Sequence, residues 1–102
     1  MKVVIRRIMK VFPGKMAEAM ELEKKYTAIA SRLGAPPSRG YRCFSGGGDH
    51  IHTVIAESEW DSFAALDTYF EKTSAHPEIQ ALSPVWDTVI ESCDIEFLLP
   101  IP

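Results

Sequence analysis

From Lys2 to Phe12 the side chains divide with a period of two. Val3, Ile5, Arg7, Met9 and Val11 fall on one face and Val4, Arg6, Ile8, Lys10 and Phe12 on the other. This predicts a first strand, stopped by the turn signal Pro13-Gly14. Neither face is cleanly polar, so both are expected to be partly buried. The period then changes. Between about Lys15 and Leu33, Ala19, Leu22, Tyr26, Ile29, Ala30 and Leu33 gather on one side at about 100° per residue, with Glu18, Glu21, Lys25 and Arg32 opposite. That pattern predicts an amphipathic helix resting on a sheet. Gly34 caps it in a left-handed conformation, and Pro36-Pro37 prevents its continuation.

A second strand, about Arg39 to Ser45, and a third, about His50 to Trp60, are joined through Gly46-Gly47-Gly48-Asp49. The connection predicts a hairpin. A phosphate-cradling loop would need a helix after the glycines to supply free N–H groups, and a strand follows here. Asp61 or Ser62 caps a second helix with the apolar stripe Phe63, Leu66, Tyr69 and Phe70, read as core packing. His76-Pro77 and Ser83-Pro84 each open a short helical piece, Pro77 to Leu82 and Pro84 to Glu91. A last strand, about Cys93 to Leu99, sets Cys93, Ile95, Phe97 and Leu99 against Asp94, Glu96 and Leu98.

The order strand, helix, strand, strand, helix, strand is the split βαβ, ferredoxin-like arrangement, an α+β fold with sheet order 4-1-3-2 and helices on one face. The whole chain, 1–102, makes a single domain. We expect Val3, Ile5, Met9 and Val11, then Ile51, Thr53 and Ile55, then Cys93, Ile95, Phe97 and Leu99 to lie under the helices, with Phe97 fully buried. The bare face then carries Ile8, Phe12, Val54, Ala56 and Leu98, an apolar patch that water does not tolerate in a monomer. Two such sheets face to face, related by a two-fold axis, resolve it as a homodimer, a dimeric α/β barrel with a central cavity.

Composition narrows the partners. A net charge of −3 and a pI near 5.5 lack the basic face that nucleic acid needs. No stretch approaches the roughly 20 apolar residues of a membrane span. The start, MKVVIRRIMKVF, is broken by Arg6, Arg7 and Lys10 and does not read as a signal peptide. Cys43 and Cys93 fall on opposite edge strands in this fold and cannot bridge within one chain. A reducing cytoplasm is the expected compartment.

Candidate chemistry is sparse. The face opposite the helices also holds Arg6, Lys10, His50, His52, Asp94 and Glu96. Arg6 pairs with Glu96 across neighbouring strands, with His52 one strand away. Arg6 would anchor an anion and His52 would carry a proton near neutral pH. The plain alternative is a structural ion pair beside a surface histidine. His50 and His52 form an H-x-H pair that lacks a third metal ligand, so neither a metal nor a cofactor is called for. No Ser-His-Asp, Cys-His or paired-carboxylate spacing occurs.

The stretch Val54-Ile55-Ala56-Glu57-Ser58-Glu59-Trp60-Asp61-Ser62-Phe63, the later Pro84-Val85-Trp86 and the final strand running into Leu99-Pro100 resemble the NIPSNAP family. That family falls in the dimeric α/β-barrel group, with antibiotic-biosynthesis-type monooxygenases, heme-degrading monooxygenases and muconolactone isomerase-like enzymes. The resemblance implies the fold and the dimer. Heme-degrading members use an Asn on the first strand and a Trp and His on the second helical region. This chain has Arg6 and Arg7 on the first strand and Tyr69 near where the Trp would fall. Three functions stay open: a protein binding a small organic molecule between its sheets, a cofactor-free monooxygenase or isomerase, and a purely structural or regulatory dimer. Arg6, His52 and Glu96 are the candidate ligand-binding residues, and His52 the candidate catalytic one.

Overall fold

The computed structural model describes residues 1–45 and 51–102. The elements run β1 (Val3–Val11), α1 (Met16–Arg32), β2 (Ser38–Arg42), β3 (Thr53–Trp60), α2 (Phe63–Thr73), α3 (Pro77–Gln80), α4 (Ser83–Val89) and β4 (Ile90–Leu98). The four strands form one antiparallel sheet in the order β2-β3-β1-β4, the ferredoxin-like arrangement. The expected Gly46–Asp49 hairpin and His50 lie outside the described residues.

Local signals account for the boundaries. The Phe12 carbonyl accepts from the Lys15 N–H at 3.0 Å across a turn in which Gly14 has φ +79. Residues of high helical propensity fill α1, MAEAMELEKKYTAIASR. It ends where Gly34 takes φ +102, and Lys72 Nζ donates to the freed Leu33 carbonyl at 3.1 Å. Ser62 caps α2, its hydroxyl accepting from the Ala65 N–H at 3.0 Å. His76 precedes Pro77 as the cap of α3, and its ring Nδ1 accepts from the Glu78 N–H at 3.2 Å. The last strand begins at Ile90, three residues before the expected Cys93, because Val11 already pairs with Ile90.

The sheet register settles which side chains share a face. Val3, Ile5, Arg7 and Met9 of β1 stand opposite Trp60, Ser58, Ala56 and Val54 of β3. This is the helix side. It buries a cluster of Met9, Val11, Ala19, Leu22, Val54, Ala56, Val89 and Ile90. A second cluster holds Val3, Ile5, Ala30, Trp60, Leu66 and Tyr69. The β1 assignment holds and that of β3 is reversed: Val54 and Ala56 belong to the core, and Ile55 joins the opposite face beside Ile8. Both alternations of β3 are apolar, so pairing with β1 decides between them.

Phe97 also departs from expectation. It stands opposite Ile5 and touches the Phe63 ring, with centroids 6.2 Å apart. Yet it is 52% exposed, as are Ile95 and Leu99, because β4 is the sheet edge. The molecule measures 37 × 37 × 17 Å. That short dimension is one sheet and one helix layer thick, and among the described residues no element covers the other sheet face.

Candidate ligand-binding site

Between the helix side of the sheet and helices α1 and α2 lies a cavity of about 240 Å³. Ile5, Arg7, Ala56, Ser58 and Trp60 form its floor, and Tyr26, Ala30, Leu66, Tyr69 and Phe70 come from the helices. The connection Ala35–Ser38 supplies a further wall. An apolar cavity of about 150 Å³ accepts benzene, so this one suits one ring with substituents or two fused rings.

Its aromatic wall is built, not incidental. The Trp60 and Tyr69 ring centroids are 4.9 Å apart and tilted by 53°, within the preferred range for aromatic pairs. Tyr69 also meets Phe70 at 5.9 Å. The Trp60 indole N–H donates to the Ser58 hydroxyl at 2.9 Å, which fixes the ring at the end of β3. The Tyr69 hydroxyl oxygen is buried beside the Tyr26 phenol and the Thr73 hydroxyl, without a hydrogen bond of good geometry to either. An unpaired buried hydroxyl costs about 1–3 kcal/mol.

Burial, with the Tyr26 phenol beside it, pushes the Tyr69 pKa from 10.0 up to about 12. Tyr69 thus stays a neutral O–H donor at physiological pH. The sign of the linked stability follows. The folded pKa lies above the unfolded one, so the contribution is complete below pH 10 and is lost as pH rises through about 12. Denaturant titrations near pH 9 and pH 11.5 should show that extra alkaline loss in the parent and not in Tyr69→Phe. Equal losses in both would remove Tyr69 as its source.

Arg7 supplies the cavity's cation. It stands on the apolar face of β1, between Ile5 of one core cluster and Met9 of the other. Its Nη1 donates to Glu23 Oε2 at 3.4 Å and its Nη2 to Glu23 Oε1. The guanidinium carbon lies 4.6 Å from the centre of the Tyr26 ring, a cation–π contact. Helix α1 therefore carries both the counter-charge and the aromatic plate for a charge that β1 places in the core.

The residues singled out from the sequence fall elsewhere. Arg6 and Glu96 do meet, with Nε 3.7 Å from Oε1, and Glu57 lies 3.9 Å from the same nitrogen. All three are on the uncovered face. His52 is not with them. It precedes β3 and lines a groove with Gly14, Met16 and Ala17, on the α1 side of the sheet. The reversed β3 alternation accounts for the separation. Among the described residues no group of three or more His, Cys, Asp or Glu is placed to hold a metal. Both cysteines are free, and burial pushes the Cys93 thiol pKa up, away from reactivity.

Tyr26 and Tyr69 have the spacing of buried helix stripes, which reads as core, and Trp60 stands at the end of a strand. The signal for the cavity was Arg7, the one charge on an otherwise apolar face of β1. A charge there needs a partner from the covering helix, and bulky groups arranged around a salt bridge pack imperfectly.

No family model matches the sequence, and no curated protein does. Solved structures match in shape. A NIPSNAP family protein from Agrobacterium tumefaciens superposes with a TM-score of 0.83 at 25% identity, covering 98% of this chain and 86% of its own. A second Agrobacterium tumefaciens NIPSNAP protein, described as of unknown function, gives 0.78 at 18%, covering 97% and 87%. An uncharacterised NIPSNAP domain protein from Burkholderia xenovorans gives 0.76 at 20%, covering 97% and 94%. With the same four-stranded sheet order expected of a ferredoxin-like fold, the chain is similar in its α+β fold to NIPSNAP family proteins.

Proposed function

We propose that the chain binds a small, planar, uncharged organic molecule in the cavity between its sheet and helices, through a hydrogen-bond acceptor such as a phenol or quinone oxygen. The cavity of about 240 Å³ walled by Trp60, Tyr69 and Phe70 carries this reading. Tyr69 lines the cavity and keeps its proton up to about pH 12, which makes it the donor for a ligand acceptor. Trp60, Tyr26 and Phe70 offer ring faces to such a molecule. Acid–base turnover is poorly served, since Tyr69 holds its proton up to about pH 12 and His52 lies in a separate groove. Calorimetric titration with 1-naphthol and 1,4-naphthoquinone tests the reading. Binding should occur and should weaken about tenfold in Tyr69→Phe, the worth of one hydrogen bond. A parent protein that takes up neither compound would sink it.

The same reading includes pairing with a second copy through the uncovered sheet face. Ile8, Ile55 and Leu98 stand there among Arg6, Lys10, Glu57 and Glu96. Such a mixture of apolar groups and both charges is complementary to itself about a two-fold axis. Sedimentation at micromolar concentration should give a dimer, and Ile8→Glu should give monomer. A monomeric parent protein would rule the pairing out. No described helix is long and apolar enough to cross a membrane, and two free thiols suit the reducing cytoplasm as its compartment.

A further inference from the structure

We infer that Glu23, which does not line the cavity, sets its charge selectivity by cancelling Arg7 and so reserving the cavity for uncharged ligands. The inference rests on the proposed ligand cavity and goes beyond it by naming the residue that decides which ligands enter. Arg7 forms part of the cavity wall. Left alone, a guanidinium beside aromatic rings would be a fork for a carboxylate or phenolate. It is not left alone. Both terminal nitrogens donate to the two carboxylate oxygens of Glu23, its face lies on Tyr26, and Met9 Sδ is 3.9 Å from Nη1. The two side chains are only 17% and 13% exposed, so water does little to screen either charge.

An anionic ligand arriving at Arg7 would bring a second negative charge to a site already neutral. It would have to displace Glu23 or share the cation with it, and both alternatives place like charges close together in a poorly solvated region. An uncharged ligand meets no such opposition and gains the Tyr69 donor. Glu23 thus acts as the repulsive element against anions, and the paired Arg7 as an apolar-tolerant wall. Converting the carboxylate to an amide keeps the shape and one of the two acceptor oxygens but leaves Arg7 with an unmatched charge facing the ligand.

The test uses 1-naphthol and 1-naphthoate, ring systems of equal size and different charge, titrated calorimetrically at neutral pH into the full chain. The parent protein should prefer naphthol. In Glu23→Gln the ratio of the two affinities should move toward naphthoate by about tenfold or more, the equivalent of one modest charge interaction. In Arg7→Gln/Glu23→Gln, where the cation is also gone, the ratio should return to near that of the parent. A merely structural Glu23 would weaken both ligands together and leave the ratio where it was. If naphthol binds the parent and Glu23→Gln does not shift the ratio, the inference is overturned and the cavity reading stands. If neither ligand binds any of the proteins, both fall. Should Glu23→Gln not fold, the double variant decides, and a ratio moved toward naphthoate there would overturn the inference.

Discussion

Trp60→Ala is expected to destabilise the protein by about 3–5 kcal/mol, the range for removing a large buried aromatic. Trp60 is 8% exposed. It stands opposite Val3 at the end of the sheet and stacks against Tyr69. It thereby ties β3, β1 and α2 into one core cluster with Leu66 and Ala30. Alanine would join the vacated volume to the existing cavity and strip Tyr69 of its ring neighbour. The backbone at Trp60 is paired with Val3 of β1, which limits its collapse into the space. For a domain of this size each kcal/mol moves the melting point by about 4–8 °C, so a thermal scan should show a drop well beyond 10 °C or no folded protein. A drop of only about 2 °C would mean that the cavity wall carries little of the stability. The cluster around Met9 would then hold the fold by itself.

The order of elements was legible in the sequence because each boundary carries its own chemistry. Pro13-Gly14, Gly34 with Pro36-Pro37, Ser62 and His76-Pro77 punctuate the chain where the structure changes element. The faces were less legible. On β1 a single alternation is clearly more apolar, and the structure buries Val3, Ile5, Met9 and Val11. On β3 the residues from Thr53 to Ala56 are suited to burial on either side. Only the pairing of Met9 with Val54 selects the set that packs under the helices. That one-residue parity places His52 away from Arg6, which keeps Glu96 and Glu57 as its neighbours. The cavity itself was beyond reach, because periodicity says which side chains face inward and not whether they fill the space they enclose. Arg7 marked the place. Its misfit in the apolar set was visible in the sequence, and its partner, Glu23, sits on the helix that the same pattern placed above it.

That partnership makes the last prediction. Arg7→Met should cost about 2–4 kcal/mol, somewhat less than the roughly 3–5 for breaking a fully buried pair, because both side chains keep some contact with solvent. Little of the loss comes from packing. Methionine is close to arginine in length and flexible enough to lie against Tyr26. The loss comes from Glu23, left as a poorly hydrated carboxylate between α1 and the sheet with its two donors removed. Arg7→Met/Glu23→Leu removes the stranded charge as well and should recover most of the stability, since apolar replacements of a buried pair are often neutral or better. Urea denaturation of the two single variants and the double variant gives the coupling directly. Single-site losses that simply add in the double variant would show the two charges to be independent. The neutral cavity wall would then be an accident of proximity rather than a pair holding the first helix onto the sheet.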